Sequence, residues 1–573
     1  MNPHDFARIL ALRNAVKFKG RASPGALVGA MIAEFPEQKN DRKGLMSIIN
    51  AAVEAVNALS LDEQKAELLE HDPNYFAEER EKRKARREAR QDLPPLRGAE
   101  QGKVVTRIPP EPSKYNHLGH ALSFLINYLY ARKYDGKVIL RFEDTNPEKE
   151  SQEFVDAMRS DVLEYLAITP DKELFVSDDM PRFYAVAEEL IAQGHAYTCN
   201  CPSEAMSKAR REMKECGHRT ASPEEVKKHW DLMQKGRGDL VLRLKIDMQH
   251  KNAVMRDPVI FRVITNEHYR QGTKYKVWPM YDFENALEDS WTGVTHVLRS
   301  NEFESRIELH NYIKDLLGLQ KQVVQQYGRF NITGATTQGR EIRRLIEEGS
   351  VTGWDDPRLI TLRALKRRGI VKEALYELAK RCGMSKTNTN IDYSVLAAIN
   401  RQLLDEEADR YSFVRDPVAI KVSRWPATLR RVELKLHPHK RRGGRTMELD
   451  GSFYITKKDF ERVKDGRVFR LIDTANLRYD AESDTFMFHS GTIEEFRSVP
   501  EQERYGLINY SPVQGAQQAR VLVVEDGQLV WHEGVLEPSA KLSPGVIVQL
   551  ERYGFARLDE VKDGVFSFWF AHE

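Results

Sequence analysis

A chain of 573 residues is longer than one hydrophobic core fills, since cores stop growing near ~250–300 residues, so several domains are expected. Apolar residues at 41% and charged residues at 30% fit a water-soluble globular protein, and no apolar run approaches the ~18 residues of a membrane span. Lys plus Arg at 88 against Asp plus Glu at 86 leaves +2, far from the excess of a small DNA-binding module but compatible with local basic patches.

The N-terminal MNPHDFARILALRNAVKFKG has no long apolar stretch before a small-residue cleavage site, so no secretory signal is expected. Four cysteines cannot staple a chain this long, which points to a reducing, cytoplasmic setting. Residues 1–75 read as helical: Phe6, Ile9, Leu10 and Leu12 open one amphipathic stretch, and Leu45, Ile48, Ile49, Val53 and Val56 keep helical spacing in another. Ser60-Leu-Asp-Glu63 has the form of a capping box. Residues 78–92, EEREKRKARREARQD, hold no large apolar side chain and read as a charged tether with transient RNA contact as the alternative.

After Pro94-Pro95 the pattern changes to VVTRIPPEPS, HLGHALSFLINYLYARKYDG and KVILRFEDT. This is strand, Pro-rich turn, helix and strand, the signature of a βαβ unit whose ligands gather at the carboxyl ends of its strands. Residues 195–250 read as an insertion carrying a cysteine cluster. Residues 275–300 return to short apolar strands, 300–410 is helical, and β-type runs such as VAIKV, ARVLVV and VIVQLERYGF dominate after about 415, with the spacing of barrels or sandwiches.

Chemistry concentrates at Arg107–His120. His117 and His120 stand three apart across Gly119 at a strand-to-helix junction, where a helix N-terminus offers unpaired N–H groups and a positive dipole end to phosphate. Two imidazoles there donate to phosphate oxygens as charge builds; a metal pair or surface histidines are the other readings. Cys199-Asn-Cys201 and Cys216-Gly-His218 supply three thiolates and an imidazole, a closed tetrahedral set for structural zinc, against the alternative of free thiols beside a surface histidine.

With RFEDTNP at 141–147, the His117–His120 segment resembles the HIGH motif of class I aminoacyl-tRNA synthetases of the glutamyl/glutaminyl subclass. NAVKFKGRASPGALVG resembles the helical appendix of archaeal-type glutamyl-tRNA synthetases. GWDDPRLITLRALKRRGI at 353–370 resembles the block after their second signature, and the C-terminal third, ending in QLERYGFARLDEV, their anticodon-binding barrels. The resemblance implies a multidomain α/β plus β protein: a Rossmann-type catalytic core with an acceptor-binding insertion, an N-terminal helical appendix and C-terminal β-barrel domains. The implied division is 1–95 appendix and linker, 96–194 first half of the catalytic domain, and 195–270 acceptor-stem insertion with the zinc site. It continues with 271–335 second half, 336–412 signature loop and stem-contact region, and 413–573 barrels.

It also implies ATP- and Mg2+-dependent activation of an amino acid and its transfer to the 3′ end of tRNA, with tRNA generally needed before activation. His117, Leu118, Gly119 and His120 would bind ATP. Arg107, Ser113 and Glu143 would line the amino-acid pocket, Glu143 holding the ammonium. Arg299 stands where glutamate enzymes carry an Arg for the γ-carboxylate and glutaminyl enzymes lack one, and Tyr281 matches the tyrosine beside it. A buried carboxylate needs such a partner, so glutamate is expected over glutamine; simple pairing of Arg299 with Glu302 is the alternative. The KMSKS loop departs from the family pattern: 335–342 reads ATTQGREI, with Gly339 where the second lysine is expected. Arg340 or Arg343 substitutes, or the chemistry is slow, or the chain is a non-catalytic tRNA-binding paralogue. Lys366, Arg367, Arg368, Lys440, Arg441, Arg442 and Arg445 are the expected tRNA contacts. The choice between glutamate and glutamine tRNAs and the oligomeric state are not legible.

Overall fold

The structure is a computed structural model, and it describes residues 2–18, 20–37, 41–76, 93–334, 336–440 and 444–573. The 78–92 tether therefore lies outside the described residues, as do Arg441 and Arg442. The chain forms two units, Met1–Asp92 and Leu93–Glu573.

In the first unit, α1 (Pro3–Lys17), α2 (Pro24–Glu34), α3 (Arg42–Asn57) and α4 (Leu61–His71) enclose Leu12, Leu27, Met31, Leu45, Ile49, Val56 and Leu68. The capping box is formed: Glu63 N–H donates to Ser60 Oγ and Ser60 N–H to Glu63 Oε2, satisfying two end donors of α4.

The second unit begins on a parallel sheet of β1 (Val105–Ile108), β2 (Lys137–Phe142) and β3 (Lys172–Phe175), with α5 (Leu118–Lys133) crossing from β1 to β2. Val138, Leu140 and Phe142 on one face of β2 and Ile139 and Arg141 on the other are all buried, as expected of a strand covered on both faces. An antiparallel sheet follows: β4 (Ala196–Cys199), β5 (Val241–Leu244), β6 (Val259–Val263) and β7 (Val277–Pro279), packed around Phe183, Trp230, Phe261 and Trp278. The chain returns through α6 (Tyr281–Trp291) to β8 (His296–Ser300) and the parallel β9 (Val323–Tyr327).

The stretch 275–300 thus holds a helix between two strands, because Phe283, Ala286 and Leu287 bury one helical face. The expected helical region also contains β9, whose VVQQY alternates too weakly to announce itself. Thr295 N–H donates to the Val105 carbonyl at 2.9 Å and Val105 N–H to Thr295 Oγ1 at 2.8 Å, so β8 flanks β1 on the side away from β2. The sheet order reverses at β1, and the crevice beyond β1 and β8 is the switch point where such sheets bind ligands.

Helices α7 (Gly339–Glu347) and α8 (Leu362–Arg368) follow, and two further helices, Lys372–Cys382 and Tyr393–Glu407, lead into the β-rich part. Two seven-stranded sheets form there. One ends on strands Arg410–Tyr411 and Phe413–Arg415, the other on Arg504–Ile508 and Ser511–Pro512. In each, the two end strands are nearly consecutive in sequence, so the sheet curls back on itself to a near-barrel with little free edge.

Candidate active site

A cavity of about 1060 Å3 opens at the carboxyl ends of β1, β2, β8 and β9, lined by Arg107, Lys114, His117, Glu143, Arg299 and Tyr327 among others. That is the size of a nucleotide- or drug-scale pocket, ~300–1,000 Å3. His117 is the N-cap of α5. Its Nδ1 accepts from Gly119 N–H at 3.1 Å, and His120 Nδ1 accepts from His117 N–H at 3.2 Å. The rings stack with centroids 3.9 Å apart. With Nδ1 accepting, the proton of each neutral ring sits on Nε2. Burial and the nearby Lys114 charge push His117 down to about 3; burial and the neighbouring His117 and Lys114 hold His120 well below its ordinary value. The pair therefore presents two neutral Nε2–H donors.

The expectation that unpaired N–H groups of the helix receive phosphate is corrected. Leu118 N–H donates to the Ile360 carbonyl at 3.0 Å, and Gly119 N–H is taken by His117. Leu118 is fully buried in the core and offers the cavity nothing. What lies over Gly119 is the His117 ring: a Cβ on residue 119 would stand 3.0 Å from His117 Cε1. The Asn116 carbonyl accepts from Leu362 N–H at 2.9 Å, so the GWDDPRLITLR block clamps the first turn of α5.

The cavity floor is an ion network. Arg107 Nε and Arg141 Nη1 share Asp289 Oδ1 at 3.1 and 2.9 Å, and Arg141 Nη2 holds Glu143 Oε1 at 2.7 Å, which also accepts from Asn285 at 2.8 Å. Burial pushes the Glu143 carboxyl up against the pull of Arg141, and it pushes Glu288 up to about 8. Asp289, though buried, is held low by its two arginines.

Arg299 is different. It is 6% exposed, its Nε and Nη1 have no hydrogen-bond partner among the described residues, and burial lowers its pKa. It does not pair with Glu302, which Arg329 engages at 2.9 Å. A buried guanidinium with open donors is costly unless a ligand completes it. Tyr281 lines the same cavity, and burial raises its hydroxyl to about 12, so it stays protonated. Ser113, expected in the amino-acid pocket, is buried outside the lining, its carbonyl accepting from Arg343.

The second signature starts α7. Gly339 is buried at its first turn, while Arg340 is exposed and outside the cavity lining. Arg343 is fixed by the Ser113 carbonyl, and Arg344 pairs with Glu341 and Glu348 at 2.8 and 3.1 Å.

The sequence model of "tRNA synthetases class I (E and Q), catalytic domain" matches residues 103–406, and that of the corresponding anticodon-binding domain residues 408–494. The glutamate–tRNA ligases of Pyrococcus furiosus and Thermococcus kodakarensis are each 38% identical over 98% of this chain and 98% of their own. That of Methanothermobacter marburgensis is 37% identical over the whole of both chains. The chain belongs to the class I E/Q tRNA synthetases. Its fold is the class I catalytic domain followed by the anticodon-binding domain, and it is an aminoacyl-tRNA ligase.

Elsewhere in this synthetase, Cys199, Cys201, Cys216 and His218 converge at the end of β4, every ligand atom within 4.8 Å of the others. Arg243 Nη1 lies 3.8 Å from Cys216 Sγ, a cation suited to thiolates. The basic residues divide. Lys366 is exposed on α8. Arg367 instead grips Asp559 through Nε and Nη2 at 2.9 and 2.6 Å and Asp355 at 2.7 Å, and Arg368 donates to carbonyls of Pro357 and Ala571 at 3.0 and 3.2 Å. Arg445 is 2% exposed, donating to the Arg410 carbonyl at 2.7 Å and facing Glu537 at 3.3 Å. Arg367 and Arg368 are partly exposed and join parts of the protein, while the expectation of RNA contact is corrected for Arg445, which is buried. Lys440 pairs with Glu407. Among the described residues, no helix is long and apolar enough to cross a membrane.

Proposed function

We infer that this protein is a glutamate–tRNA ligase, which uses ATP to form glutamyl-adenylate and transfers the glutamyl group to the 3′ end of glutamate tRNA. The observation that carries the amino-acid choice is Arg299, buried at the cavity with Nε and Nη1 unpartnered among the described residues. A γ-carboxylate completes its donors with charge-assisted bonds, whereas a neutral amide leaves the buried cation uncompensated. The full-length relatives named glutamate–tRNA ligases support the same choice and disfavour both the glutaminyl reading and the non-catalytic paralogue.

In this reading Tyr281 lies against the glutamate side chain, Arg107 shapes the floor, and Glu143 receives the ammonium. The α-carboxylate attacks the α-phosphorus of ATP, the bond to the β-phosphate breaks, and a ribose hydroxyl of tRNA then displaces AMP. The Nε2–H donors of His117 and His120 follow the charge that builds on phosphate; no enzyme nucleophile is required. Mg2+ would accompany ATP and neutralise phosphate charge. Lys366 remains the proposed stem contact on α8.

Zinc is the proposed occupant of the cysteine–histidine group. Bonds of ~2.3 Å to sulfur and ~2.0 Å to nitrogen set tetrahedral edges near ~3.8 Å between sulfurs and ~3.5 Å from sulfur to nitrogen. The corresponding separations here are 3.9 Å for Cys199–Cys216, and 3.7 and 3.5 Å from Cys199 and Cys201 to His218 Nδ1. Four protein ligands leave no open position, so the metal would stabilise the insertion and take no part in the chemistry. The joint need for ATP and tRNA supports a cytoplasmic setting.

Aminoacylation of total tRNA with labelled glutamate and, separately, glutamine, with ATP and Mg2+, tests the reading. Charging with glutamate alone is expected. Charging with glutamine, or none with either despite tRNA binding, would overturn it.

A further inference from the structure

The second signature lacks its lysine at Gly339, yet the space beside that glycine is filled. A Cβ built on residue 339 stands 2.9 Å from Lys114 Cδ, 3.2 Å from its Cβ and 3.6 Å from its Cγ. The Lys114 stem therefore lies along the backbone where a side chain from residue 339 would begin, and contacts this short at Cβ and Cδ cannot be relieved by moving only the tip of the lysine. A side chain at 339 therefore requires the Lys114 stem to move from its present place.

Lys114 lines the cavity together with His117 and His120. It is half-buried and has no hydrogen bond or ion pair among the described residues. Its surroundings are cationic: Arg343 is anchored one residue away on the Ser113 carbonyl, and the positive end of α7 begins at Gly339. Burial lowers its pKa, the exposed Glu111 opposes this, and Arg343 adds to it. The arginines of α7 do not compete for the role. Arg340 is exposed outside the lining, Arg343 is tied to backbone, and Arg344 is paired with two glutamates.

We propose that Lys114 is the catalytic cation of the activation step, binding the pyrophosphate portion of ATP from the turn before α5 in place of a lysine at position 339, with Gly339 kept small to seat its stem. The proposal rests on the ligase reading above. As the α-carboxylate oxygen bonds to the α-phosphorus and the bond to the β-phosphate oxygen breaks, the electron pair leaves with pyrophosphate. The Lys114 ammonium meets that negative charge without transferring a proton, and the two Nε2–H donors act on the same phosphate chain. A half-buried ammonium whose nearby counter-charge is the exposed Glu111, with no ion pair formed, is what a polyanionic ligand would complete.

The test uses the full-length protein with Lys114→Met, which keeps the stem and its packing on Gly339, together with Lys114→Gly, Gly339→Lys and the double variant Lys114→Gly/Gly339→Lys. Two readouts are taken: kcat and KM for tRNA charging with glutamate, and binding of inorganic pyrophosphate by calorimetry. Lys114→Met is expected to lower kcat about 100-fold, the scale of one transition-state donor, with KM for glutamate within about twofold. It should also weaken pyrophosphate binding about tenfold or more. Gly339→Lys alone should lose activity through the clash, and the double variant should recover at least tenfold over Lys114→Gly. Lys114→Met with unchanged kcat and unchanged pyrophosphate affinity would overturn the proposal, as would a double variant no better than Lys114→Gly. A parent protein that binds pyrophosphate through Lys114 but charges no glutamate would sink the ligase reading while leaving the lysine's phosphate role standing.

Discussion

Arg299 is the proposed specificity residue because its Nε and Nη1 find no partner among the described residues. Arg299→Ala is expected to reduce kcat/KM for glutamate by about 100- to 1,000-fold, the loss of a buried charge-assisted pair at ~3–4 kcal/mol, while leaving ATP affinity near the parent value. Steady-state kinetics with each substrate varied in turn checks it, and a loss confined to ATP would contradict the assignment. The histidine pair yields a second prediction of the same scale. His117→Asn keeps an acceptor for Gly119 N–H and so preserves the cap, but removes the Nε2–H donor. It should fold normally and lose about 100-fold in kcat.

The pair also has a pH signature. With His117 held at about 3 against an ordinary 6.5, the folded protein binds fewer protons here than the unfolded chain across that window. Its contribution to stability is full above 6.5 and is lost as pH falls toward 3. Urea unfolding of the parent and of His117→Asn should therefore give stabilities whose difference shifts in favour of the variant as pH falls below 6.5. In the same variants no ionisation near 6.5 should be assignable to this pair in the rate profile.

At the scale of elements, the fold couples distant segments to one helix start. The first turn of α5 is held from inside by the two imidazoles and from outside by residues 360–362, so the signature block after α7 acts as a brace for the histidines. Gly119 shows how tight that start is: Gly119→Ala places a methyl 3.0 Å from the His117 ring and should unstack the pair, lowering kcat more than thermal stability. The insertion has its own brace. Chelation of the cysteine–histidine group should release about one zinc per chain, measured by metal analysis, and lower the melting temperature of the insertion. It should not abolish pyrophosphate binding in the cavity.

Across Leu93–Glu573, α8 ties the catalytic domain to the near-barrel that follows. Arg367 lies 3.9 Å from the centre of the Trp569 ring and grips Asp559, while Arg368 reaches carbonyls at the C-terminal strand. Arg367→Ala should lower the melting temperature by several degrees, since it leaves Asp559 with Arg557 alone at 3.3 Å and uncovers Trp569. Lys366→Ala should leave stability unchanged and reduce the salt dependence of tRNA binding by about one counterion. Equal effects of the two substitutions on tRNA affinity and stability would remove this division of labour.

The catalytic frame was legible in the sequence because it rests on short-range rules, a strand, a Pro-rich turn and an apolar helix, and in the N-terminal unit the Ser60–Glu63 cap was legible for the same reason. Motif spacing located His117, His120 and the four metal-type ligands, whose chemistry lies in side-chain type, while Arg299 was singled out by the family resemblance of its strand. Helix α6 and strand β9 were not legible, since apolar runs of mixed period fit either form and β9 is half polar. The basic run misled at Arg445, because a basic residue facing solvent and one facing a carboxylate from another part of the chain look identical in sequence. Only the tertiary structure brought Lys114 against Gly339, 225 positions apart in the chain. It alone decided which arginines stay open and which are satisfied, because charge compensation and steric exclusion act through space between segments that local sequence does not relate.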